Sequence, residues 1–316
     1  MVLYHWINYF IGPQWEHYKY LRFLTPSFIF ITGFMVSNVY LSKYQATDPQ
    51  LPKRLISRGV KLLLIFIALN IARSCLVPIL GTGTIPANVL ELRNLWTIFF
   101  SGNLPVAGSK LISFSILVPI SYLLMISGLM MHPMRVFRFS FHLLCVLLLA
   151  SIVMLGLAGL QSANLELVTI GVLGVMVGFS PISSVNKFVR RPWRLGLAYL
   201  LYVTAVALWD VPFVVQLVGV PLSVAVIYYV GLGGSGAGRI GPEIVLLGRY
   251  SLYGYLSQIA ILQVLAVAFR PFDVDWITLT ASFIAAFALT IASVEIADRL
   301  RARLATVDRL YRAIFA

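Results

Sequence analysis

Four histidines offer proton chemistry in this chain, and His5 stands apart from the others. It lies in the opening run Met1-Val-Leu-Tyr-His5-Trp-Ile-Asn8-Tyr9-Phe10, which reads as the last half of a membrane helix. An ionisable side chain inside an apolar span is costly and marks a functional candidate by default. Imidazole titrates near neutral pH, as a general base requires. An interfacial histidine bonded to a neighbouring helix fits the same position, and position alone does not separate the two. Asn8, three residues on, shares the helix face and can orient the ring or a substrate hydroxyl. His17 is the competitor, in an outer loop beside Trp15 and Tyr18, while His132 and His142 fall at turns where interfacial anchoring accounts for them.

Cations form the second set. Arg22 and Arg73 sit at the outer ends of the second and third spans, against the general trend of the charge. They either face a polar cavity and hold an anionic group or snorkel to headgroups. Lys53, Arg54, Arg58 and Lys61 cluster at the start of the third span, and the last three fall on one helical stripe. Such a stripe suits phosphates, and it is also ordinary cytoplasmic charge. Lys187, Arg190, Arg191 and Arg194 carry the same ambiguity. In the ninth span Ser251, Tyr255 and Gln258 repeat at four and three residues, a polar stripe expected to face the bundle interior. Glu295 and Asp298 are expected to cap or pair with the basic tail. No metal-binding constellation, P-loop, Gly-x-Ser-x-Gly or His-Glu-x-x-His is present, and Cys75 and Cys145 lie in apolar runs. Gly231-Leu-Gly233-Gly-Ser-Gly236 matches a dinucleotide fingerprint in form only, without a preceding strand, and reads as a linker.

The elements that must position these residues are membrane helices. Of the 316 residues 60% are hydrophobic and 11% charged, with a mean hydropathy of +0.91. Apolar runs of roughly 20 residues recur along the chain. The expected architecture is one all-α polytopic bundle over 1–316, of about ten transmembrane helices, the first apparently truncated. The spans fall at the opening run and at about 24–41, 55–80, 111–131, 136–160, 164–186, 195–210, 212–232, 251–269 and 275–297. The segment 81–110, with Glu91, Arg93 and the patch Leu95–Phe100, is expected at the interface, and 298–316 as an amphipathic cytoplasmic tail. The net charge of +13 does not indicate nucleic acid, because the cations sit in short loops between spans. Loops assigned alternately to one side hold 18 of the 24 Lys and Arg, which makes that side and both termini cytoplasmic in a plasma (inner) membrane. The first helix then runs outward, with His5 toward the outer half.

Several runs resemble the membrane acyltransferases of the acyltransferase-3 type and their OpgC and heparan-glucosaminide N-acetyltransferase relatives. Met1-Val-Leu-Tyr-His5 is similar to the end of that family's first helix. Pro26-Ser-Phe-Ile-Phe-Ile-Thr-Gly33-Phe34 is similar to its second, Lys53-Arg54-Leu-Ile-Ser-Arg58 to the start of its third, and Leu247-Gly-Arg249-Tyr-Ser251-Leu-Tyr-Gly-Tyr255-Leu-Ser-Gln258 to a late motif. The resemblance implies transfer of an acyl, typically acetyl, group from cytoplasmic acyl-CoA as co-substrate to a hydroxyl or amine of a carbohydrate or cell-envelope glycan, as in O-acetylation of polysaccharides. It implies His5 as base, with Asn8 and Tyr255 beside it, and Arg54, Arg58, Lys61 and Arg249 on the donor. Arg22, Arg73, Ser251 and Gln258 are then acceptor contacts. Two positions depart from the pattern: the family's arginine, roughly eleven residues ahead of the histidine, would fall before Met1, and its late histidine is Gln258 here. The other expectations are a polytopic transporter or flippase for a lipid-linked or acidic solute, with Arg22, Arg73 and the Ser251 stripe along its path, and an inactive, truncated homologue.

Overall fold

The computed structural model describes residues 1–12, 16–40, 48, 50–79, 95–102, 114–137, 139–209, 213–233, 240–269, 271–272 and 275–315. In chain order the helices are α1 (Val2–Phe10), α2 (Leu24–Met35), α3 (Gln50–Ile79), α4 (Leu117–Val136), α5 (Ser140–Leu157), α6 (Ala163–Gly178), α7 (Ile182–Val189), α8 (Pro192–Leu208), α9 (Phe213–Gly233), α10 (Ile240–Arg249), α11 (Ser251–Ala268), α12 (Trp276–Arg303) and α13 (Ala305–Phe315). A 3₁₀ turn covers Glu16–Leu21, and π turns cover Val36–Tyr40 and Thr97–Ser101. No strand occurs among the described residues. Of the expected interfacial segment 81–110, only Leu95–Gly102 is described; Glu91, Arg93, the glycine-rich stretch 234–239 and the side chain of His17 lie outside the described residues.

Seven helices among the described residues are long and apolar enough to cross a membrane, or eight if a bent pair forms one span. The chain is a multi-pass membrane protein. The expected count of about ten is not reached, for three local reasons. α1 has nine residues, against the roughly 20 a crossing needs. The run expected to cross at 164–186 breaks after Gly178, and α7 leaves α6 at 101° across Phe179-Ser180-Pro181. α8 has 17 residues, a shorter apolar helix.

The chain divides into two compact units, Thr25–Tyr229 and Met1–Leu24 with Val230–Ala316. Lipid tails are as apolar as leucine, so helices in a membrane associate through close backbone approach and interhelical hydrogen bonds. In the Thr25–Tyr229 unit α3 packs on α4 at Gly59, where Ser121 Oγ donates to the Gly59 carbonyl at 2.6 Å. The buried residues of α3 (Leu51, Leu55, Gly59, Leu62 and Phe66) recur every three or four positions, as one helix face must. α6 meets α2 through Gly171, Gly174 and Gly178, and a methyl group added at Gly174 would overlap the Phe30 carbonyl. Ser162 caps α6 by accepting from the Leu165 N–H, and its hydroxyl donates to the Phe100 carbonyl at 2.6 Å. Tyr228 of α9 donates to Asn186 Oδ1 of α7 at 2.8 Å, over a small core of Val189, Leu195 and Leu222.

In the other unit α11 and α12 form an antiparallel hairpin. α12 buries Ser282, Ala286, Thr290 and Val294, a line of small or β-branched residues at every fourth position. Ser293 donates to Ser257 at 3.1 Å across the pair. α12 continues to Arg303, six residues past the expected 297, and breaks at Leu304, whose backbone is extended. α13 then folds back. Arg301 donates to Asp308 through both Nε (3.0 Å) and Nη2 (2.7 Å), and Tyr311 stacks edge-on against Tyr250 with centroids 5.3 Å apart. The expected tail is thus the last turns of a membrane helix plus a short amphipathic helix latched to them.

Replacing Gly174 by Ala forces α2 and α6 apart, so the purified protein in detergent should lose about 1–3 kcal/mol of stability, read as a lower melting temperature. Gly196→Ala, where nothing lies within 4 Å of the added carbon, should leave the melting temperature unchanged.

Candidate functional site

α1, at nine residues, is short for a helix that holds a histidine against its neighbours. Isolated helices below about 12–15 residues are marginal in water, and most helical stability comes from tertiary packing. α1 has two anchors. Trp6 donates its indole N–H to Ser282 Oγ of α12 at 2.9 Å, a buried bond, and its ring packs edge-on against Phe283. Gln263 of α11 donates to the Tyr9 hydroxyl at 3.2 Å. Between them Trp6, Ile7, Leu262, Leu265 and Ala286 form one core cluster. The small residues of α12 are what let the indole approach. Trp6, Tyr9, Gln263 and Ser282 were not singled out from the sequence.

These anchors fix His5. Its ring lies edge-on against Tyr255 of α11, with centroids 5.7 Å apart and planes at 60°, and against Tyr4 at 5.1 Å and 76°. Tyr255 is 5% exposed. One turn further along α11, Gln258 is 3% exposed, and its side-chain nitrogen has no hydrogen-bond partner among the described residues. A buried amide donor left unpaired costs about 1–3 kcal/mol. Two of the three stripe residues, Tyr255 and Gln258, therefore face inward as expected. Ser251 is exposed, at the first position of α11, and Asn8 is half-buried on α1.

α1 runs parallel to α11, since His5 meets Tyr255, Tyr9 meets Gln263 and Phe10 meets Phe269. Tyr255 is only four residues from the start of α11, about 6 Å along its axis at 1.5 Å per residue. At the same level Gly254 approaches Val294, in the later third of α12. His5 thus lies toward the end of the hairpin that carries Arg299, Arg301 and Arg303, not toward the opposite end as the direction of the first span suggested. That end is closed by a polar node. Tyr250 donates to Asp298 at 2.7 Å, Arg301 donates to Tyr250 at 2.8 Å, and the Arg301 guanidinium lies 3.9 Å from the Tyr311 ring centroid. Glu295 pairs with Arg299 at 2.8 Å. Glu295 pairs with the tail as expected, whereas Asp298 accepts from Tyr250 instead.

The remaining sequence candidates are placed separately. Arg22 is exposed in the turn after the 3₁₀ segment, and Arg249 is exposed at the last position of α10. Arg54, Arg58, Lys61 and Arg73 belong to α3 in the Thr25–Tyr229 unit. Arg54 donates to Gln50 at 3.0 Å, and Arg58 lies 5.4 Å from the centroid of Tyr40. Lys61 and Arg73 are half-buried. No group of three or more potential metal ligands occurs among the described residues.

A buried donor with no partner among the described residues, one turn along α11 from the phenol that meets the imidazole, suits a ligand that presents a carbonyl or hydroxyl oxygen. The amide can donate to that oxygen, and the imidazole can exchange a proton with it.

The latch outside the membrane has a pH dependence. Hydrogen bonds first from Arg301 and then from Arg312 hold the Asp308 carboxyl below the usual carboxylate range. Its pKa falls on folding, so its contribution is complete above the ordinary aspartate value of about 4 and is lost as pH falls through the lower folded value. Asp308→Asn should free α13 at neutral pH, read as faster amide exchange over Ala305–Phe315 with α11 still protected. The unchanged protein should show that release only in strong acid.

Comparison with protein-family models, with curated proteins and with solved structures returned no match.

Proposed function

We propose that this protein is an integral membrane acyltransferase that moves an acyl group, typically acetyl, from acyl-CoA to a hydroxyl or amine of a carbohydrate or cell-envelope acceptor. The observation that carries this reading is the His5 imidazole held against Tyr255, one turn from the buried and unpartnered Gln258 amide. His5 removes the acceptor proton as the acceptor oxygen or nitrogen attacks the thioester carbonyl. Gln258 N–H donates to the carbonyl oxygen as negative charge develops on it. The C–S bond then breaks, and the leaving thiolate takes the proton from the imidazolium. Tyr255 fixes the plane of the imidazole, and Asn8 contacts the acceptor.

In this reading the end of the spans richer in Lys and Arg, with both termini, faces the cytoplasm across a plasma (inner) membrane, as the positive-inside rule supports. His5 then lies on the side from which acyl-CoA comes. Arg54, Arg58 and Lys61 supply cations for the donor phosphates, with Arg249 as a further contact, and Arg22, Arg73 and Ser251 serve the acceptor.

His5→Ala should insert and purify normally and lose transfer from labelled acetyl-CoA to membrane or glycan material by about 10²–10⁴-fold. Full activity in that variant overturns the reading, and solute flux without consumption of acetyl-CoA replaces the enzyme with a transporter. Arg54→Gln combined with Arg58→Gln should raise KM for acetyl-CoA several-fold at unchanged kcat, because both charges act in binding the donor.

A further inference from the structure

The Thr25–Tyr229 unit contains a cavity of about 720 Å³ walled by α2, α6, α7 and α9. This is within the usual size range of small-molecule sites, roughly 300–1,000 Å³. Its lining is almost wholly apolar. The hydroxyls that border it are those of Ser180, Ser184 and Tyr228, and Tyr228 is already bonded to Asn186. The floor is buried at Phe30, 4% exposed, whereas the lip is open at Val218, 68% exposed. Such a shape admits a flexible hydrocarbon from the side.

One wall is α7, which turns 101° away from α6 and so runs across the end of that helix rather than along it. Phe188 of α7 lines the cavity. Lys187 immediately precedes Phe188, and Arg190, Arg191 and Arg194 follow. All four are exposed. No Asp or Glu occurs between Glu166 and Asp210, and no ion pair reaches these cations among the described residues. Arg194 lies 5.0 Å from the ring of Trp193, itself exposed, as an interfacial tryptophan would be. An apolar groove lined by Phe188 is therefore flanked in the chain by four exposed cations that have no ion pair among the described residues.

We infer that this groove binds one acyl chain of an anionic phospholipid, with the phosphate on the Lys187–Arg194 turn. The chain supplies the apolar contact, in proportion to the methylenes it buries. The cations supply headgroup selection, as basic clusters beside an anionic surface do. The site stands on α2, α6, α7 and α9 and does not depend on acyl transfer at His5.

The test uses the full-length protein in lipid nanodiscs and electron spin resonance of phosphatidylglycerol or phosphatidylcholine labelled near the chain end. The immobilised fraction should favour phosphatidylglycerol several-fold. Arg190→Gln with Arg191→Gln should bring that preference close to one. Ala225→Trp, which plugs the groove, should remove the immobilised component for both lipids. The arginine pair is exposed, so its result decides the matter even if the plugged variant does not fold. An unchanged preference in the arginine variant overturns the proposal. So does displacement of the label by palmitoyl-CoA but not by unlabelled phosphatidylglycerol, which would make a thioester the occupant.

Discussion

The buried hydrogen bond from the Trp6 indole to Ser282 decides where His5 is. A nine-residue helix has too few internal hydrogen bonds to set its own position, and in an apolar surrounding it gains little by exchanging lipid contacts for protein ones. What holds it is specific: an indole that must find an acceptor once buried, and a serine on a helix face kept small enough to receive it. Tyr9 on Gln263 adds a second fixed point one turn away. With both made, the imidazole has no freedom of register along α11 and meets Tyr255 alone among that helix's described rings.

The same constraint shapes the Thr25–Tyr229 unit through backbone rather than side-chain contact. Glycines on α6 bring the α2 backbone close, and Gly59 does so for α3 and α4. Such contacts are rigid, since nothing flexible lies between the two chains. The groove occurs where that pattern stops. Past Gly178 the chain turns away, and the space over the end of α6 is walled by side chains of α2, α7 and α9.

Fold class was readable because run length and composition alone define a membrane helix. The span count was less so, because it depends on local breaks: Pro181 after a glycine-rich helix turns an apparent crossing into a bent pair. His5 and Tyr255 were each identified by the cost of polarity inside a span, yet their contact joins residues 250 positions apart and leaves no periodic trace between them. Trp6 and Tyr9 have no spacing that sets them apart from the other aromatics of the opening run. The one sequence feature that could have marked their seat is the fourfold repetition Ser282, Ala286, Thr290, Val294, which says that something bulky approaches that face. Ser251 prolonged the polar stripe on paper, but it sits where α11 begins and its face is no longer covered. The groove had no sequence signature, since its walls are common apolar residues from four separate helices.

The distance in sequence between the partners of α1 has a consequence for synthesis. Trp6 and Ser282 are 276 residues apart, and Tyr9 and Gln263 are 254 apart. α1 leaves the ribosome before either of its partners and cannot take its seat until α11 and α12 have been translated. Until then it waits as an unanchored segment with a histidine and an indole whose polar groups lack their final partners. A chain interrupted before α12 would hold the whole Thr25–Tyr229 unit but neither Ser282 nor Phe283, so Trp6 would have no seat and His5 nothing to fix it against Tyr255.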